Sequence, residues 1–425
     1  MQIIVPSGIW YDKNVELEFP DDWNVIVVEP EFQPPVLSDY EIRAAMHSPI
    51  GSPMISQLAK GLSLSEAKGC KSAVIIVDDT TRPTPAHRVA PFVLEELRAG
   101  GVEDDDILFV IGLGAHRPMN RIDMVMKLGA DIVNRFHVIN HDLDGSFVHL
   151  GETSHGTPIY INEEVMARDL KLTIGSVIPH GGAGFSGGGK LILPGVSSLE
   201  TIRHHHTSGL KDADRGGNPD NEFRLDIEEV TCKMGLNAIV NVMINSQREI
   251  TGVFVGDVLK AHRQAVEFSR KCCVTSLVQQ PDIVVTNSYP EDLTLRYAMC
   301  GAWPFGAVRE GGTKILIAGC PEGTGYHRLY SSPPTPGLKR IKALQQGKSP
   351  QPPLIKGEQS VSNQERKDFI MFSPFIGPKE AYEILPNCLF FNSWAELMNE
   401  VMREYQDRKN VTVAVYPYAG IQIPE

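Results

Sequence analysis

The sequence predicts an α/β protein made of two α/β domains, with the active site in the cleft between them. Short runs rich in Val and Ile recur along the chain and end at Gly, Asp or His, and stretches with apolar residues three and four apart lie between them. Runs of the first kind suit strands buried on both faces of a parallel sheet, and the second kind suits helices packed against such a sheet. Strand alternating with helix defines the class. At 425 residues the chain also exceeds one ordinary core, which favours two domains.

In chain order, the runs at 73–77, 107–113, 172–178, 238–244, 283–286 and 314–318 are read as strands, with helical patterns at 87–99 and 258–271 among the intervening segments. The helix ending near Cys272 gives way to a polar stretch closing at Pro281, after which a fresh strand begins, so the domain boundary is placed close to residue 275. Residues 1–272 form the expected N-terminal domain, with 408–425 as candidates to complete it, and residues 276–407 form the second. Residues 346–366 are polar and proline-rich and read as a long surface excursion.

Hydrophobic residues make up 42% and charged residues 22%, so the chain can bury a core and is neither disordered nor fibrous. Forty Lys and Arg against 52 Asp and Glu leave a formal charge of -12, which disfavours nucleic acid and anionic lipid as partners. The seven cysteines form no CxxC pair and are odd in number, which argues against a disulfide framework or a cysteine zinc site. The N-terminus shows no basic stretch leading into a long apolar one, and no apolar run approaches the roughly 20 residues that span a bilayer. A soluble cytoplasmic protein is expected.

Four clusters carry chemistry. Residues 77–85 follow a predicted strand and are kept from a helix by two prolines, which puts Asp79 and Arg82 at a strand's carboxyl end, where open α/β sheets bind ligands. An Asx turn with an ordinary salt bridge fits the same residues. Residues 111–118 repeat the arrangement with His116, a general-base candidate at that edge; a lone loop histidine is otherwise commonly idle. Residues 178–195 are glycine-rich around His180 and Lys190. Such a backbone can wrap a phosphate or a planar cofactor, with Gly187, Gly188 and Gly189 closest to Lys190. Leu191 stands where a phosphate loop needs Ser or Thr for magnesium, so an ATPase is rejected. Finally, His204, His205 and His206 fall in a helical pattern, where neighbours point about 100° apart and one can be a metal ligand while the others are not.

Asp79-x-x-Arg82-Pro, Gly114-x-His116-Arg-Pro, His180 before Lys190 and His206 after it, in this order, resemble the lactate racemase family. The resemblance covers residues 5–325 closely and the last hundred residues loosely. It implies a racemase or epimerase that inverts C2 of a 2-hydroxy acid by reversible hydride transfer to a nickel-pincer nucleotide, nickel pyridinium-3-thioamide-5-thiocarboxylic acid mononucleotide. It further implies Lys190 as the attachment lysine, His206 as the nickel ligand, and His116 and His180 as paired acid and base. Arg82 and Asp79 are implied at the substrate, and Tyr289 and Asp79 beside the cofactor. Proteins that make and deliver the cofactor are implied as partners.

One departure bears on the substrate. After Tyr289-Pro-Glu-Asp292 the family carries a lysine near the substrate where this chain has Cys300. If the segment is helical, Arg296 lies one turn earlier on the same face and can reach the site. A 2-hydroxy acid other than lactate is therefore expected. Two other readings stand beside this one: a mononuclear metal hydrolase using His116, His180 and His206, and a nickel or nucleotide carrier without turnover.

Overall fold

The computed structural model describes residues 1–62, 71–329 and 368–425; the excursion expected at 346–366 lies outside them. The chain is α/β, as expected, and two six-stranded sheets form its frame. The first runs in the order Ile250–Gly256, Ala238–Ile244, Leu170–Ser176, Ala73–Asp78, Ile107–Gly112, His137–Asn140, parallel throughout except for the antiparallel edge strand Ile250–Gly256. The second runs Cys388–Phe391, Phe369–Phe372, Thr313–Ile317, Ile283–Asn287, Thr412–Tyr416, Asn24–Val27, all parallel.

Each apolar run read from the sequence is a strand of one of these sheets. Every residue of Ala73–Asp78 is buried, which is why the run is unbroken rather than alternating. The helical patterns become Ala86–Ala99 and Lys260–Cys273, and the latter buries Ala261, Ala265, Val266, Ser269 and Cys272 on one side.

Sheet membership differs from the expected division at both chain ends. Asn24–Val27 joins the second sheet, and Thr412–Tyr416 pairs with it and with Ile283–Asn287 there, whereas Ile421 and Ile423, further along, pack into cores of the first unit. The physical reason is long-range pairing: the partly exposed edge strand Asn24–Val27 and the buried Thr412–Tyr416 find their partners in distant segments, and no local pattern reports a partner. Gly8 and Ile9 amides also donate to the buried Asp292 carboxylate at 2.6 and 3.0 Å, tying the N-terminus to the Tyr289–Asp292 turn.

The first sheet reverses winding between Ala73–Asp78 and Leu170–Ser176. The chain moves outward one way through Ile107–Gly112 and His137–Asn140, then the other way through Ala238–Ile244. Ligands of open α/β sheets sit beyond the strands' carboxyl ends at such a switch point. Asp79, His116 and His180 all follow strands at this place.

A buried histidine locks the neighbouring helix Leu199–Thr207, whose N-cap is Ser198. His141 Nε2 donates to Ser197 O at 3.0 Å and its Nδ1 accepts from Asn162 Nδ2 at 3.2 Å, an arrangement that only the neutral ring satisfies. Burial holds its pKa down to about 4. Below the ordinary 6.5 the unfolded chain takes a proton that the folded chain refuses until about 4, so between these values stability falls by about 1.4 kcal/mol per pH unit from this residue. Thermal unfolding of His141→Gln is accordingly expected to depend less on pH in this window than the wild type; equal slopes would refute it.

Among the described residues no helix is long and apolar enough to cross a membrane. The six described cysteines are free thiols.

Candidate active site

A pocket of about 500 Å³ opens at the switch point, and its walls come from both halves of the chain. Asp79, Arg82, His116, His180, Gly187, Lys190 and His206 line it from the first sheet's side, and Arg296, Tyr297, His327 and Ile384 from the second's.

The turn after Ala73–Asp78 is held from beneath. Lys127, fully buried, donates to Asp79 O at 3.0 Å and Arg82 O at 2.9 Å and pairs with Asp78 at 2.5 Å. This fixes Asp79, whose Oδ1 accepts from the Thr81 amide at 2.9 Å and hydroxyl at 2.5 Å, and whose Oδ2 lies 2.6 Å from His116 Nδ1. Burial works to raise the Asp79 pKa, but the His116 charge and hydrogen bond, Thr81 and Arg82 outweigh it and hold the carboxyl well below the usual carboxylate range. The carboxylate thus stays ionised and fixes His116 with its proton on Nδ1. His116 Nε2 lies 2.6 Å from Tyr297 Oη, and the His327 ring sits edge-on at 5.2 Å.

Arg82 is not the free anion fork its motif suggests. Its guanidinium donates to Glu291 Oε1 at 3.1 Å, while Arg215 pairs with Glu291 Oε2 at 2.8 Å, so one buried carboxylate sits between two arginines. The Arg82 guanidinium also lies 5.5 Å from the Tyr297 ring centre. Arg296, by contrast, lines the pocket, and its one hydrogen-bond partner among the described residues is the Gly325 carbonyl, at 3.4 Å. Cys300 is absent from the pocket wall: its thiol lies against Glu291, and burial pushes its pKa up. Tyr289 is also absent; its hydroxyl donates to Asp12 at 3.1 Å, with Arg248 over its ring at 6.0 Å.

The glycine loop is rigidly seated. Arg224, buried beneath it, donates to the carbonyls of Phe185 and of Gly187, the latter at 3.2 Å; His262 bonds Ser186 O at 2.9 Å, and the Gly188 amide donates to Asn241 at 3.1 Å. A Cβ at Gly187 would fall 2.7 Å from Val177, at Gly188 2.9 Å from His262, and at Gly189 2.4 Å from Thr231. These glycines therefore allow the loop to pack onto the protein body; Gly187 alone of the three lines the pocket, and Gly188 and Gly189 do not. The loop places Lys190 in the cavity wall, where burial and the charges of Arg224 and Arg82 push its amine well below the ordinary lysine range, against the opposing charge of Glu291. His180 is pushed well below its usual value by burial, then by Lys190, Arg82, Arg215 and Arg224, and its Nδ1 has no hydrogen-bond partner among the described residues.

On Leu199–Thr207 the three histidines point three ways. His204 meets Thr157 at 3.2 Å, and His205 is clamped by the buried Asp226 at 2.7 Å. His206 lines the pocket. Its Nδ1 donates to Ile202 O at 2.8 Å, leaving Nε2 as the nitrogen open to a ligand. Burial, followed by His205 and Lys190, lowers its pKa to about 4, so the ring is neutral at ordinary pH.

A family model described as the lactate racemase N-terminal domain matches residues 10–217. The lactate racemase of Lactiplantibacillus plantarum is 32% identical over 305 residues, 69% of this chain and 70% of that protein. This chain belongs to the lactate racemase family. The lactate racemase of Thermoanaerobacterium thermosaccharolyticum is 30% identical over 318 residues, 72% of each chain. The apoprotein structure of the lactate racemase from T. thermosaccharolyticum superposes with a TM-score of 0.74 at 24% identity, covering 100% of both chains. A Thermotoga maritima protein follows at 0.63 and 18%, covering 93% of this chain and all of its own. As a member of the lactate racemase family, the chain is an isomerase.

Of the residues expected at the racemase site, Asp79, Arg82, His116, His180, Gly187, Lys190, His206 and Arg296 converge on one pocket. Tyr297, His327, Glu291, Lys127 and Arg224 were not anticipated. Two carried a usable sign: Glu291 lies within the Tyr289–Asp292 motif, and Tyr297 stands beside Arg296 in a segment already suspected of facing the site.

Proposed function

We propose that this enzyme inverts C2 of a 2-hydroxy acid, as a racemase or epimerase, with a nickel-pincer nucleotide as cofactor and His116 and His180 as paired acid and base. The observation that carries the reading is that two imidazoles on different strand ends, a buried lysine and a neutral histidine line one cavity. The pocket fits the cofactor chemically. An uncharged Lys190 amine is a competent nucleophile for covalent attachment, and His206 Nε2 presents a lone pair to a metal that imidazole suits.

When bound, the cofactor supplies a reversible hydride acceptor at C2. The chain supplies the proton chemistry. The two hands of a 2-hydroxy acid present their hydroxyls to different sides, so one base for each is the minimal design. Asp79 accepts the Nδ1 proton of His116 and fixes its tautomer, whereas His180, buried among cations, is neutral and returns a proton readily. Arg296 is the guanidinium best able to meet the substrate carboxylate, with Arg82 shared between substrate and Glu291. With Cys300 in place of the family's lysine, the substrate is a 2-hydroxy acid other than lactate. The protein is proposed to work in the cytoplasm, loaded by proteins that make and deliver the cofactor.

A metal hydrolase is disfavoured because both His116 nitrogens are engaged, by Asp79 and Tyr297, and because no group of three or more His, Cys, Asp or Glu among the described residues could hold a metal ion. A carrier without turnover would have no use for the His116–Asp79 pair.

The test is intact mass and metal content of protein made together with the cofactor-producing proteins, then polarimetry on a panel of 2-hydroxy acids. A nickel-bearing nucleotide adduct that Lys190→Ala abolishes, with optical activity decaying for some acid, is expected. In deuterium oxide the product should keep its C2 hydrogen, since hydride rather than a proton moves. Stoichiometric zinc without adduct, or deuterium at C2, would overturn the mechanism.

A further inference from the structure

We propose that Tyr297 relays the substrate's hydroxyl proton to His116, standing between the substrate and the nitrogen that would otherwise meet it. This rests on the racemase reading above and adds a residue to its chemistry.

His116 has two ring nitrogens and both are occupied. Nδ1 lies 2.6 Å from Asp79 Oδ2, and Nε2 lies 2.6 Å from Tyr297 Oη. With the Nδ1 proton donated to the carboxylate, Nε2 accepts the tyrosine O–H, so the imidazole has no lone pair left for a substrate hydroxyl. Tyr297 Oη can still accept, since donating its O–H uses none of its lone pairs, and the residue lines the pocket. The ring is held rather than loose. It lies edge-on to His116, centroids 5.9 Å apart at 82°, with the Arg82 guanidinium 5.5 Å from its centre. Moving it aside would break the His116 bond and uncover Arg82. Burial keeps the phenol protonated, so it donates at all working pH values.

The transfer balances. The substrate O–H breaks as its proton passes to Tyr297 Oη, the tyrosine O–H breaks as its own proton passes to His116 Nε2, and Tyr297 ends unchanged. The substrate oxygen's electron pair becomes the second bond of the carbonyl as hydride passes from C2 to the acceptor that the bound nickel-pincer nucleotide would supply. Reversal returns both protons.

The experiment uses nickel-loaded wild type and Tyr297→Phe with D-lactate, D-malate and D-gluconate as probes. The variant keeps the ring beside Arg82 and removes only the hydroxyl. The expected result is unchanged nickel content, a KM within about threefold, and kcat lower by about 10²-fold or more. The wild-type rate should fall along a curve as the deuterium fraction of the solvent rises, two protons being in flight, and the variant's along a straight line. A variant within about threefold of the wild-type kcat, or with the same curvature, overturns the relay alone. Wild type that inverts none of the probes or any other 2-hydroxy acid overturns the functional reading, and the relay with it. A readout free of turnover is the nitrogen-15 NMR spectrum of His116 in the protein as purified. Loss of the O–H donated to Nε2 in Tyr297→Phe should move that nitrogen's resonance downfield, toward that of a bare lone pair; an unchanged resonance refutes the contact on which the relay depends.

Discussion

His116→Asn and His180→Asn, each in nickel-loaded enzyme, are expected to lower kcat by about 10²- to 10⁴-fold while leaving nickel content at the wild-type level. The two rings sit in different surroundings. Asp79, ionised and 2.6 Å from His116 Nδ1, holds that ring's tautomer and orientation, whereas Lys190, Arg82, Arg215 and Arg224 all oppose protonation of His180. Losing His116 removes the site where a proton is held, and losing His180 removes the site that gives one back. For a true racemisation the equilibrium constant is one, so kcat/KM must stay equal for the two enantiomers in every variant. The asymmetry between the histidines can therefore appear only as a difference in kcat between the two hands that is matched by the same factor in KM. Polarimetric rates started from each enantiomer measure this. Near-wild-type turnover in either variant would remove that histidine from the chemistry, and loss of nickel from His180→Asn would make it a ligand instead.

Much of this site was legible because its residues lie at strand ends. Uninterrupted apolar runs announce strands buried on both faces, and residues just past them at a switch point fall on the ligand edge whatever the remaining fold. That is how Asp79, His116 and His180 could be assembled from three distant stretches. The opposite case is Arg82, whose motif suggests a free guanidinium while its partner Glu291 lies 209 residues away in sequence. Tyr289 sits in a recognisable motif yet turns toward Asp12 and Arg248, away from the pocket, because the neighbouring Asp292 anchors the turn on the Gly8 and Ile9 amides. Glycines next to Lys190 suggested a cofactor cradle; at Gly188 and Gly189 the constraint comes from His262 and Thr231 underneath. Local pattern names the residue types that chemistry requires. Which of them remain unpaired is settled by contacts between segments far apart in the chain.

His206→Ala is expected to weaken nickel retention by at least about 100-fold, and activity should disappear with the metal. The lower bound follows because loss even of the partners that merely orient a metal ligand costs 10–100-fold in affinity. Ile202 O at 2.8 Å is such a partner here: by accepting the Nδ1 proton it fixes the tautomer and leaves Nε2 as the ligating nitrogen. The neighbours cannot substitute. His205 is clamped by Asp226 at 2.7 Å and His204 turns to Thr157, so a change at 206 leaves no imidazole of this helix facing the cavity. Lys190 is untouched in this variant, so the nucleotide adduct should survive in the mass spectrum while nickel falls in metal analysis. Lys190→Ala should lose both together. Separate loss in one variant and joint loss in the other would assign attachment and metal ligation to two different side chains. Nickel held at the wild-type level in His206→Ala would show that His206 is not its ligand.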